Sequence, residues 1–184
     1  MKRFAHLQAV SLSLVVILFG AGIWIRMDRN RRFQDNGFGF KLVFPLGWVP
    51  LSQNDPALRA KPDAYYGNNL GRSTAVFVHL SPKFSLEEAA DNIESQAKDE
   101  TGTVQVMERV CFERNGSQYL RLVFIAGKSG HHYTFVKSGQ LEITLSSNCS
   151  IDAFQASLRN FHSIEDSLSL FPAMGASRTR AAIS

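Results

Sequence analysis

What the sequence has little of narrows it first. Only two cysteines, Cys111 and Cys149, occur in 184 residues. They could close one disulfide in an oxidising compartment and no more. Histidine is also sparse. His79 and His162 stand alone, and the adjacent His131 and His132 would point to opposite faces of a strand, so they cannot share an ion. A structural zinc site needs about four nitrogen or sulfur ligands at tight spacing, and the sequence spells out no such set. No metal site and no cofactor motif is assigned. Gly127-Lys128-Ser129-Gly130 sets a serine between glycines but lacks the flanks of a P-loop or a nucleophile elbow. Cys111, within Val110-Cys111-Phe112, reads as a thiol packed inside a strand, where it would be inert. With no catalytic constellation, the chain reads as non-enzymatic. No internal repeat is visible.

Positive charge is missing where a nucleic-acid binder needs it. The net charge is +4 and the isoelectric point is near 9.3. Residues 1–32 hold six Lys/Arg against one acid, Asp28, and the tail adds Arg178 and Arg180 with no acid. Residues 33–172 carry 12 basic and 15 acidic side chains, a net charge of −3. Displacing counterions from phosphates needs basic charge on the folded surface. Nucleic acid is therefore excluded as a partner, and the basic flanks read as membrane-adjacent.

What is present begins with one uncharged run. From Leu7 to Ile25 no residue is charged. As a helix rising ~1.5 Å per residue it reaches roughly 28 Å, about a bilayer's hydrocarbon thickness. Trp24 sits where an interfacial aromatic belongs. Three readings stand: a transmembrane helix, a cleaved signal peptide with Gly20-Ala21-Gly22 near its end, or a buried core helix. The length favours the first, and the charges hard against both ends argue against the last. Arg26, Arg29, Arg31 and Arg32 argue for a cytoplasmic domain by the positive-inside rule, whereas Lys2-Arg3 ahead of the segment resembles an export signal.

Beyond the basic linker 26–32, Phe38, Phe40, Leu42 and Phe44 alternate with Gly39, Lys41 and Val43, the period of a half-buried strand. Pro45-Leu46-Gly47 turns the chain into a short second strand at Trp48-Val49. Residues 52–72 read as a long loop with little regular structure. Tyr65 and Tyr66 within it are candidates for a partner surface, with folding back onto the core as the alternative. A β-branched and aromatic run from Thr74 to Leu80 predicts a central strand. Ser85-Leu86-Glu87-Glu88 is a capping box opening a helix with Leu86, Ala89, Ala90, Ile93 and Ala97 on one face. Four strands follow at 103–113, 117–126, 131–137 and 141–147. Gly-containing turns between them imply an antiparallel meander. In that meander Cys111 and Cys149 would lie at opposite ends, roughly 20 Å apart at ~3.3 Å per residue, and so read as free buried thiols. Ser150 can cap a last helix with Ile151, Phe154, Leu158 and Phe161 at helical spacing.

The opening Phe38-Gly39-Phe40-Lys41-Leu42-Val43-Phe44-Pro45-Leu46-Gly47-Trp48, the Ser85 helix, the meander and the closing helix through Phe161 resemble the PsbP-like fold of thylakoid lumen proteins and of bacterial DcrB-like envelope proteins. The likeness covers about residues 33–172. It implies an α+β domain, an antiparallel sheet packed with helices, here preceded by one transmembrane helix. The expected organisation is an anchor with linker (1–32), a PsbP-like domain (33–172) and a disordered tail (173–184). The resemblance also implies a non-enzymatic accessory protein acting through protein–protein contacts, on the extracytoplasmic (periplasmic) side of the membrane. The alternatives are an envelope domain that binds a small ligand, and a hydrolase using Cys111 or Ser129.

Overall fold

The computed structural model describes residues 31–172, apart from 57 and 59. The expected anchor at 7–25 and the tail at 173–184 lie outside the described residues. No helix among the described residues is long and apolar enough to cross a membrane.

Among the described residues, ten strands form two sheets and two helices pack on the larger one. The small sheet joins β1 (Arg32–Asp35), β2 (Phe40–Val43) and β10 (Ser169–Leu170), with β2 in the middle. The β1–β2 turn is closed by Asp35, whose Oδ1 accepts from the Gly37 and Phe38 N–H groups at 2.8 and 3.0 Å. Neither β1 nor β10 is announced by the sequence. Both are too short to show a period, and they exist because β2 offers them two edges.

The large sheet is antiparallel and seven-stranded. It comprises β3 (Val49–Pro50), β4 (Ala64–Gly67), β5 (Ser73–Leu80), β6 (Val104–Arg114), β7 (Ser117–Ala126), β8 (Ser129–Ser138) and β9 (Leu141–Ser150). Its order is β3-β4-β5-β9-β8-β7-β6. The expected meander is therefore correct. Its first turn, Asn115-Gly116, holds both residues at positive φ, 52° and 74°, a two-residue hairpin that suits the strand twist. Two expectations fail. The stretch 52–72 is not all loop, because Tyr65 and Tyr66 pair with Ala75 and Thr74 inside β4. Gly130 is not a turn glycine but a strand residue facing Cys149.

Helix α1 (Leu86–Thr101) and helix α2 (Ile151–Ser167) cover opposite faces of this sheet. The Ser85 capping box forms as read: Glu88 N–H donates to Ser85 Oγ, and Ser85 N–H to Glu88 Oε2 at 2.8 Å. Ser150 occupies the N-cap of α2, but its side chain makes no cap bond. β7 is buried on both sides, so its sequence does not alternate in polarity. Leu120, Leu122, Phe124 and Ala126 meet α1, whereas Tyr119 and Val123 join the α2 side. The α2 side is the larger core. There Phe44 stacks on Tyr66 and Trp48 meets the edge of Phe161, at centroid distances of 3.9 and 6.4 Å. These contacts pin β2 to the helix.

Both cysteines are free, but Cys111 is exposed, contrary to the expected burial. β6 is the outermost strand and pairs on one side only. Cys111 lies beside the first turn of α1, its thiol 3.6 Å from Glu87 Oε1, and stays open to solvent. Cys149 is buried on the α2 side, and Cys111 belongs to the other face.

Candidate functional site

α1 packs chiefly over β6, β7 and β8, while α2 packs over β8, β9 and β2. The helices are thus offset across the sheet. Among the described residues no helix lies over the α1-side face of β5 and β9, and a cleft of about 560 Å³ opens there. One wall is α1, with Ala89, Ile93 and Ala97 low and Asn92 and Gln96 along the rim. Leu58 and Ala60 form the opposite wall, and Phe84, 53% exposed, stands at the lip.

Strand alternation builds the floor. β9 contributes Glu142, Thr144, Ser146 and Asn148, every second residue, in one row. β8 contributes His131, Tyr133 and Phe135 beside them, and β5 contributes Ala75, Phe77 and His79 on the other flank. The aromatic row is ordered. Tyr133 lies near-parallel to Phe135 at 6.0 Å and to Phe124 at 5.9 Å, and His131 lies against Phe124 at 4.9 Å.

Glu142 is the unusual member. It is only 6% exposed, and its Oε2 has no hydrogen-bond partner. His79 and Lys137 are its cross-strand neighbours on β5 and β8. Burial pushes its carboxyl above the usual range, although these two bases pull the other way. Thr144 is buried, and neither its hydroxyl nor that of Ser146 bonds to another described residue. Asn148 accepts from Ser73 Oγ at 3.2 Å. A floor of unspent donors and acceptors beside aromatic rings has the chemistry to hold a ligand through hydrogen bonds and ring contacts.

A second polar cluster lies on the opposite face, beneath α2. Arg121 clasps Glu165 with two bonds, Nε to Oε2 at 2.8 Å and Nη2 to Oε1 at 2.5 Å, and reaches Glu108 at 2.9 Å. Thr134 Oγ1 donates to Glu165 Oε2 at 2.9 Å. Burial would raise the Glu165 carboxyl, but the Arg121 bonds and charge, with Thr134, hold it below the usual range. His132 sits beside them, its ring 5.0 Å from His162, and burial pushes it down to about 4. The cluster ties α2 to β7 and β8. It is a clasp that fixes where the helix sits.

The residues singled out from sequence are dispersed. Tyr66 is buried against Phe44, and Tyr65, half-buried, points to the other side of β4. His131 enters the cleft while His132 joins the clasp. Cys111 faces Glu87, and Ser129 pairs across to Ser150. The sequence did carry signals for what was missed. Arg121 interrupts the apolar run Tyr119-Leu120-Arg121-Leu122-Val123, and Glu165 falls four residues after Phe161 on the apolar stripe of α2. A charge in either place requires a partner. Glu142 had no such signal, because a polar face of an antiparallel strand ordinarily meets water.

No family model matches the chain, and no curated protein matches it. Solved structures do. The chain is similar to the cyanobacterial PsbP (CyanoP) of Synechocystis sp. PCC 6803, with a TM-score of 0.60 and 13% identity over 76% of this chain and 91% of that one. The fold is PsbP-like. The chain is also similar to LpqN of Mycobacterium tuberculosis, described as involved in cell envelope biogenesis, with a TM-score of 0.50 and 13% identity over 80% of this chain and 95% of that one. The likeness to DcrB-like proteins rests on sequence pattern alone.

Proposed function

We propose that this chain is a membrane-tethered, non-catalytic accessory domain that works by binding, and that the cleft beside α1 is its binding site. The observation that carries the reading is the unpartnered oxygen of Glu142, set among the free hydroxyls of Thr144 and Ser146 and the aromatic row. Buried polar groups are normally paired within the protein, so a floor that leaves them open suits a ligand. A volume near 560 Å³ falls in the ordinary range for such sites. The non-catalytic reading has support from Cys111. Slight desolvation beside α1, and then the charge and hydrogen bond of Glu87, raise its thiol pKa, the reverse of what activates a nucleophile.

Residues 7–25 serve as the tether, with the domain on the extracytoplasmic side. The PsbP-like fold and the envelope role stated for LpqN favour that side. The four arginines after the segment oppose it, but a long domain translocates largely regardless of such charge. A reporter active only in the cytoplasm, fused after Ser184, is expected to stay silent; strong activity would reverse the assignment. The cleft reading is tested by nitrogen-15 chemical-shift mapping against soluble envelope extracts. Shifts confined to β5, β8, β9 and α1 support it, and shifts clustered elsewhere overturn it.

A second reading keeps protein–protein contact as the mode of action. β6 leaves one edge unpaired and exposes Val106, Met107 and Val110, and Tyr65 offers a further half-buried aromatic. Crosslinking and pull-down from intact membranes would then recover a protein joined through β6 or Tyr65.

A further inference from the structure

We propose that the cleft takes an uncharged, polyhydroxylated ligand, a saccharide, with an apolar ring face against Phe77, Tyr133 and Phe135 and its hydroxyls toward Glu142, Thr144 and Ser146. The proposal rests on the cleft being the binding site.

Charge narrows the ligand first. The described lining contains two carboxylates, Glu100 and Glu142, and no lysine or arginine. An anionic ligand such as a phosphate would meet these carboxylates with no lysine or arginine among the described lining residues to answer it, at a cost that burial magnifies. A cation is also a poor match. Glu142 already has His79 and Lys137 on the flanking strands, and burial shifts its carboxyl toward the neutral form.

Polarity narrows it further. A purely apolar ligand such as an acyl chain would cover Glu142 Oε2 and the hydroxyls of Thr144 and Ser146 without answering them. Each buried group left unpaired costs about 1–3 kcal/mol. The ligand must bring several neutral donors and acceptors at once. A peptide brings them on its backbone, but peptide capture by a sheet uses an open strand edge. β8 and β9 are paired on both sides, and the cleft presents side chains from a sheet face.

A saccharide meets both demands. Its hydroxyls each donate and accept, matching a carboxyl, two hydroxyls and the Asn92 and Gln96 amides on the rim. Its C–H face carries slight positive charge, which the negative face of an aromatic ring attracts. The polar row and the aromatic row run side by side on β9 and β8, so a ring lying along them would touch both.

The test uses the full chain in phospholipid nanodiscs, free of sugar-based detergent. Maltose, cellobiose and sucrose are titrated by ligand-observed NMR and calorimetry, with laurate, spermidine and a sugar phosphate as competitors of other chemistry. Binding of a neutral disaccharide is expected. Thr144→Val and Tyr133→Ala should each weaken it by about tenfold, the scale of one lost interaction, while Cys111→Ser, outside the cleft, leaves it unchanged. If Tyr133→Ala unfolds, Asn92→Ala on the exposed rim of α1 takes its place. Laurate, spermidine or the sugar phosphate binding in the cleft, with no disaccharide bound, overturns the saccharide assignment but leaves the site standing. A panel that binds nowhere overturns it as well. Disaccharide binding insensitive to Thr144→Val and Asn92→Ala places the ligand elsewhere and overturns the cleft reading itself.

Discussion

Phe44 and Trp48 bracket the Pro45-Leu46-Gly47 turn and reach the same core from its two sides. Both are buried, at 0% and 2% exposure. Phe44 lies on Tyr66 and Trp48 on Phe161, so neither void can be filled by a neighbour without losing another contact. Phe44→Ala and Trp48→Ala should each cost roughly 3–5 kcal/mol in denaturant unfolding, and a loss below about 1 kcal/mol would mean that these rings are not core. His132 gives a pH signature. Its imidazole is lowered from 6.5 to about 4 by burial, despite the opposing charge of Glu165. The unfolded chain therefore takes up that proton first as pH falls. The stability held by neutral His132 is complete above about 6.5 and declines toward about 4, by on the order of 3 kcal/mol. Glu165, held low, keeps its stabilisation above the usual carboxylate range and loses it as pH falls through its depressed value. Denaturant unfolding across this window should show the first slope, and His132→Phe should flatten it. An unchanged slope in that variant would assign the titration to another group.

At the scale of elements, β8 is where sequence and structure part most usefully. Gly127-Lys128-Ser129-Gly130 reads as one turn, yet the turn is Gly127-Lys128 and the strand begins at Ser129. Gly130 has no left-handed φ to explain it. A Cβ there would come within 2.1 Å of Phe154 Cγ, and Phe154 is fully buried in α2. The glycine is what lets the first turn of α2 lie directly on β8. Gly130→Ala must push the ring and its helix outward, an overpacking cost of about 1–3 kcal/mol or more. Thermal unfolding should drop accordingly, while Gly139→Ala, in an open turn, should cost mainly its φ strain. Equal losses in both would show that backbone conformation, not contact with Phe154, makes Gly130 necessary. α1 is the opposite case: its start, its apolar face and its left-handed Gly102 cap all follow from local residues.

For the whole molecule, the boundary of the folded unit lies slightly upstream of Phe33. Arg31 O accepts from the Phe44 N–H at 2.8 Å, and β1 begins at Arg32. A chain starting at Arg31 should be soluble and melt cooperatively. Aggregation, or the absence of a cooperative transition, would mean that residues 7–25 belong to the core instead.

Several features are determined by short stretches acting alone: the order of α1, the four meander strands and α2, the hairpin at Asn115-Gly116, the capping box, and the uncharged run from Leu7 to Ile25. Period, turn chemistry and capping are local physics, readable within a few residues. The tertiary structure alone decided which faces are covered. It buried Tyr66 and exposed Cys111, neighbours respectively of a full core and of a free sheet edge. It joined Arg121 to Glu165 across 44 positions. Above all, it set how far α1 reaches across the sheet. The row Glu142, Thr144, Ser146 and Asn148 looks like any solvated strand face in sequence. It becomes the floor of a cleft because two helices pack off-centre on opposite sides, and long-range packing of that kind leaves no mark on local pattern.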